Sequence, residues 1–207
     1  MKLVKLFLMS AIFLGTVTVA KAQDKSSNKD SMLPSFGIKG GVNFASVTGG
    51  EDFKSPDSRT SFHVGALVEI PVADILSIQV EGLYSAQGFK SDFRDTDGDK
   101  IEGKLDYINV PVLAKIYIVK GLSLEVGPQF SFLLNDKIDS PFSDDEIELA
   151  DLGLKTEKFE FGVAAGITFL TDIGLFATGR YNYGVTEIFK DSKLKNSVFQ
   201  LGVGYKF

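Results

Sequence analysis

The chain has 207 residues, a formal net charge of −5, one His, and neither Cys nor Trp. Without Cys it can have no disulfide framework, no thiolate metal site and no lipid-modified cysteine anchor. Its acidic balance argues against nucleic acid as a partner.

Residues 1–22 carry Lys2 and Lys5, an apolar run from Leu6 to Ala20, and Ala20-Lys21-Ala22. That order is the pattern of a secretory signal peptide cleaved near Ala22. The run is too short for a spanning helix. Loss of Lys2, Lys5 and Lys21 takes the charge from −5 to −8, and the 185 residues that remain suit one domain. Residues 23–34 are polar and aperiodic and read as a flexible leader.

From residue 35 a two-residue alternation recurs eight times. It predicts strands at Ser35–Ala45, Thr60–Ile70, Leu76–Phe89, Leu105–Ile118, Leu122–Leu134, Phe159–Leu170, Leu175–Phe189 and Ser197–Phe207. The one candidate for a short helix is the acidic segment Asp144–Leu152. The connections alternate strictly. Short ones fall near Pro71–Ile75, Val119–Gly121 and Thr171–Gly174; long ones cover 46–59, 90–104, 135–158 and, less extended, 190–196. In an up-and-down barrel this gathers the short turns at one rim and the long loops at the other, as in outer-membrane barrels with short periplasmic turns.

One parity of every strand is apolar, for example Phe62, Val64, Ala66, Val68 and Ile70. The other parity carries Lys39, Asn43, His63, Glu69, Gln79, Glu81, Asn109, Lys115, Glu125, Gln129, Glu160, Arg180, Asn182, Gln200 and Lys206, with glycines between. A soluble ligand-binding barrel would turn the apolar face inward. Two features oppose that. The polar parity is rich in small residues (Gly37, Gly41, Gly127, Gly166, Gly202), as convergence in a narrow lumen requires. Aromatic residues of the apolar parity gather at strand ends: Phe44, Phe62, Tyr84, Phe132, Phe159, Tyr183 and Phe199 toward the long loops, Phe36, Phe169, Tyr205 and Phe207 toward the short turns. Such girdles suit two membrane interfaces. The reading is therefore an all-β, eight-stranded antiparallel transmembrane barrel over residues 35–207, in the cell outer membrane. A spanning sheet must close because lipid offers no hydrogen bonds to a free edge, so the last strand, FQLGVGYKF, has to pair with the first. Phe207 is also a candidate terminal signal for the barrel-assembly machinery.

Eight strands leave a lumen that side chains can fill. Lys39, Lys115, Arg180 and Lys206 balance Glu69, Glu81, Glu125 and Glu160, which predicts paired charges and a plug rather than a pore. A three-residue loop at Val119–Gly121 places Lys115 opposite Glu125, a predicted salt bridge. His63 has Asp57, Ser58 and Ser61 nearby in sequence, but no diagnostic spacing makes a catalytic triad. Asp95, Asp97, Asp99 and Glu102 resemble a calcium loop only in part: Lys100 and Asp106 stand where that pattern needs Gly and Glu, so a solvated hairpin tip is the simpler reading. No metal or cofactor is expected. The acidic loop Asp139–Asp151, with Phe142, Ile147, Leu149 and Leu152, is the best candidate recognition surface. FGIKGGVNF lies in a strand with no helix after it, so its glycines do not make a phosphate loop.

The segments FGIKGGVNFAS, LDYINVPVLAKIYI and FQLGVGYKF resemble the PorT-like outer-membrane β-barrel proteins of the Bacteroidetes. The resemblance covers roughly Phe36 to Phe207 and implies an eight-stranded outer-membrane barrel. The family's namesake serves a secretion system; no residue here selects that role. The functional expectation is a non-enzymatic barrel in contact with outer-membrane lipid and with a possible envelope protein partner, alternatively an accessory of a secretion or envelope complex, and less readily a barrel enzyme acting on lipid or peptide.

Overall fold

The computed structural model describes residues 33–49, 57–92, 100–139, 147–148, 156–189 and 192–207. Strands β1 (Ser35–Thr48), β2 (Asp57–Ala73), β3 (Leu76–Asp92), β4 (Lys100–Val119), β5 (Leu122–Asp139), β7 (Phe159–Leu170), β8 (Leu175–Gly184) and β9 (Lys195–Lys206) form the barrel, and β6 is the two-residue Ile147–Glu148. Each barrel strand pairs antiparallel with its neighbours, and β1 pairs with β9 from Gly37↔Lys206 to Thr48↔Lys195, which closes the sheet. The N–H of Phe207 continues that seam, donating to the carbonyl of Phe36 at 2.8 Å.

Alternation fixes the register, because a one-residue slip would exchange the two faces of a strand. Along β8 exposed and buried residues alternate: Leu175, Ala177, Tyr181 and Tyr183 face out, Phe176, Thr178, Arg180 and Asn182 face in. Lys39, Glu69, Glu81, Lys115, Glu125, Glu160 and Arg180 are all at most 5 % exposed, while Ile38, Val64, Leu201 and Val203 on the outer face are 45–67 % exposed. The molecule is polar within and apolar without. The inner face also takes Leu67, Leu83, Leu113 and Phe176.

Three prolines stand inside strands, Pro71 near the end of β2 and Pro111 and Pro128 in mid-sheet. The β4–β5 ladder runs from Pro111↔Gln129 to Ala114↔Val126 in one register, and the β3–β4 ladder from Leu83↔Asn109 to Val80↔Val112, with the intervening rungs skipped. A proline has no N–H to offer a ladder, so Pro111 and Pro128 account for local gaps without a slip.

Several strands run longer than predicted at the long-loop end, and three further expectations change. The hairpin after β4 turns on Lys120-Gly121 with Val119 opposite Leu122, and a bulge at Ile118 restores the predicted register from Tyr117↔Ser123 onward; Gly121 takes φ +82°. The strand predicted to reach Phe189 ends at Gly184. Ile188 and Phe189 instead turn inward and pack with Val47, Leu105 and Tyr107 as an apolar stopper at the long-loop end of the lumen. Within the segment predicted as a short helix, Ile147 and Glu148 are extended and pair with Ile138 and Lys137; the other residues of that segment lie outside the described ones. A backbone edge offered by β5 outweighed the weak helical period there.

Bulky inward groups sit over glycines. A β-carbon on Gly41 would lie 2.0 Å from the Leu201 carbonyl oxygen and 2.8 Å from the His63 ring. The first contact is backbone and cannot yield, so Gly41→Val should keep β1 from closing on β9. On unboiled SDS gels that variant should run with its boiled form, whereas the wild type should run faster unboiled.

Candidate functional site: the lumen and the long-loop rim

The strands bring the inward charges from opposite walls into one knot. Arg180 on β8 grips Glu81 on β3 with both terminal nitrogens (Nη1 to Oε2 and Nη2 to Oε1, 2.7 Å each) and donates from Nε to Glu125 Oε1 at 2.8 Å. A planar guanidinium with five donors is the side chain suited to bridge two carboxylates in this way. Lys39 Nζ reaches Glu81 Oε2 at 3.1 Å, and the hydroxyl of Thr168 donates to Glu125 at 3.0 Å. Toward the short turns Glu69 accepts from Lys115 at 3.1 Å, from Lys206 at 2.7 Å and from the Tyr117 hydroxyl. Gln79 joins the two groups, accepting from Lys115 at 3.0 Å and donating to Glu81 at 2.5 Å. The cavity left among these side chains is about 10 Å³, room for at most one water. This half of the lumen is a plug.

Lys115 and Glu125 do stand opposite each other in the register, as predicted. They do not form the predicted salt bridge: the lysine is bonded to Glu69 and Gln79, and the carboxylate to Arg180. Hairpin reasoning sees two strands, but the lumen lets β8 compete from across the barrel. Glu160 also departs from the expected pairing. Its partner is the Asn196 amide, which donates at 2.5 Å.

His63 belongs to a neutral set. Asn43 Nδ2 donates to the carbonyl oxygens of Phe62 (3.0 Å) and Ala86 (2.7 Å). Its Oδ1 is therefore the acceptor for Gln200 Nε2 at 2.9 Å and for His63 Nδ1 at 2.7 Å. Nδ1 of His63 must carry a proton, which leaves Nε2 of the neutral ring as an acceptor, with no hydrogen-bond partner. Ser61 donates to Ala86 O at 2.6 Å, and Ser58 is exposed. Neither hydroxyl is bonded to His63; the Asp57 side chain lies outside the described ones. Asp95, Asp97 and Asp99 lie outside the described residues, as does most of the Asp139–Asp151 loop. Among the described residues no group of three or more His, Asp or Glu could hold a metal ion.

The outer face shows paired rings at the long-loop ends of the strands: Phe62 with Tyr84 (5.7 Å between centroids), Phe132 with Phe159 (5.5 Å) and Phe44 with Phe199 (6.4 Å). Tyr205 and Phe207 make an edge-on pair at 5.3 Å at the opposite rim. Past the first girdle the strands are unequal. β3 runs on from Tyr84 to Asp92, β4 starts at Lys100, eight residues before Ile108, and β5 continues from Phe132 to Asp139. At about 3.3 Å per residue this three-stranded extension runs roughly 25 Å along its strands past the rings. β7 begins at Phe159 itself. The strands expected at Leu76–Phe89, Leu105–Ile118 and Leu122–Leu134 cover only the base of this extension, because apolar alternation fades toward its tip.

The profile of the family described as "Outer membrane protein beta-barrel domain" matches residues 22–190. Comparison with curated proteins found no match. Among solved structures, the chain is similar to Ail, the attachment invasion locus protein of Yersinia pestis (17 % identity, TM-score 0.50, covering 85 % of this chain and 100 % of that one). It is also similar to Neisserial surface protein A (14 % identity, TM-score 0.54, covering 83 % and 97 %). At these identities the likeness is one of fold.

Proposed function

Because the chain belongs to the outer membrane protein beta-barrel domain family, we propose that it is a non-enzymatic integral protein of the cell outer membrane, exported by residues 1–22, whose plugged barrel holds a docking sheet clear of the bilayer. The supporting observation is the inside-out burial: an ionic knot at the centre, an apolar band outside and aromatic pairs at both ends. Lipid is the solvent such a surface fits, since a wholly internal hydrogen-bonded sheet needs nothing from it. The plug argues against transport, and the committed hydroxyl of Ser61 argues against acyl transfer by His63. What remains for function is the rim, where β3–β5 extend.

Site-specific photo-crosslinking in intact cells tests this reading. Probes at Ser58, Leu134 and Lys158 sample the long-loop side, and probes at Asp74, Lys120 and Asp172 sample the short turns; all six residues are exposed. Adducts from the first set alone are the expected result. Adducts from the second set alone would replace it with the accessory role in a periplasmic secretion or envelope complex. Recovery of the protein outside the outer-membrane fraction, with no heat-dependent shift on gels, would overturn both.

A further inference from the structure

The half of the lumen nearer the long loops differs from the ionic knot. Glu160 is 5 % exposed and, among the described residues, has no cation within ion-pair distance; its one hydrogen bond among them comes from Asn196. The same half of the lumen holds neutral amides with unpartnered atoms. Asn109 is fully buried and neither amide atom is bonded; Asn182 is 4 % exposed and likewise unbonded at both atoms; Asn196 Oδ1 is unbonded too. These groups are brought together by the barrel. Asn109, Ser131 and Glu160 follow one another across β4, β5 and β7 in a single row of the register. Glu160 Oε1 lies against Gly184, where a β-carbon would approach it to 2.9 Å, and Asn182 is the preceding inward residue of β8. Tyr107 completes the layer, accepting a 3.3 Å hydrogen bond from Asn196, and the stopper of Leu105, Ile188 and Phe189 roofs it.

Buried amides left wholly unbonded cost free energy and are rare in folded proteins. A lone buried carboxylate costs more. Here both liabilities occur in the same half of the lumen, and they are complementary: one negative charge and several amide oxygens. We propose that this half of the lumen binds a single alkali-metal cation, with the Glu160 carboxylate as its counter-charge, the side-chain oxygen of Asn196 beside it, and the inward amides of Asn109 and Asn182 on the neighbouring rungs as further neutral ligands. An all-oxygen donor set selects hard cations. A single carboxylate matches a single positive charge, and it is too few acidic ligands for the calcium sites of protein loops. The knot below already pairs its cations with Glu69, Glu81 and Glu125, so none of them is free to serve Glu160.

The test is thermal unfolding of the full mature chain in detergent, in potassium, sodium or choline chloride at equal ionic strength. The wild type should melt about 5–10 °C higher in the preferred alkali salt than in choline, once the ion is in roughly hundredfold excess over its Kd. Glu160→Gln should lose that difference, and Asn109→Leu should shrink it. Equal melting in all three salts, or a shift that survives in Glu160→Gln, overturns the site. Should the variants fail to fold, anomalous diffraction from wild-type crystals grown with thallium(I) in place of potassium decides: a peak at the Glu160 carboxylate upholds the proposal and its absence ends it.

Discussion

Arg180→Met should cost about 3–5 kcal/mol of unfolding free energy, the usual penalty for breaking a buried ion pair by removing one partner. The arginine side chain is 1 % exposed and is the only cation bonded to Glu125 among the described residues. Without it Glu125 keeps only the hydroxyls of Thr168 and Thr178, while Glu81 keeps Lys39 and Gln79. The double variant Arg180→Met/Glu125→Gln removes the orphaned charge and should recover about half of the loss or more. Urea unfolding of refolded barrels measures both. A single variant within about 1 kcal/mol of wild type would mean that the knot is wet and its charges solvated. The same logic says why the plug is ionic: it is costly to break, though an apolar filling of equal volume could be as stable. What the charges add is one arrangement, since each carboxylate has particular partners on particular strands.

Leu201→Arg should cost about 2–4 kcal/mol in a lipid bilayer, the penalty for a charge on the lipid face of a barrel near mid-membrane. Leu201 is 45 % exposed and lies on β9 between Phe199 and Tyr205, away from both rims. In water an exposed arginine there would be close to neutral. The variant therefore distinguishes a membrane barrel from a soluble one of the same shape. Equal stability of Leu201→Arg and wild type in lipid vesicles would remove the bilayer from the account.

The face assignment was legible from a single strand. Once Val64, Ala66 and Val68 alternate with His63, Gly65, Leu67 and Glu69, a pleated strand must put the two sets on opposite sides, and every barrel strand repeats the division. The closing of β9 on β1 followed from the same pattern and from the demand that lipid makes on an open edge. The candidate lumen residues were legible for that reason too: Lys39, Glu69, Glu81, Lys115, Glu125, Glu160 and Arg180 are where parity puts them.

Partner choice was not legible. Lys115 and Glu125 share a rung, yet each bonds elsewhere, because an eight-stranded lumen is narrow enough for Arg180 to reach Glu125 from β8 and for Lys115 to swing toward Glu69. A rung is a property of two strands; a salt bridge here is a property of four. The stopper of Ile188 and Phe189 escaped for a related reason. Those residues continue an alternating run, and only the presence of Val47, Leu105 and Tyr107 at the mouth of the lumen makes turning inward better than extending β8. Sequence by itself determined the number of spanning strands, their faces and the rims of short and long connections, since these depend on the two-residue period and on the chemistry of each side chain. Tertiary structure alone decided which charges pair, where the long-loop end is sealed and that Glu160 bonds to the Asn196 amide instead of a cation, since these depend on distances across a closed barrel that no local period encodes.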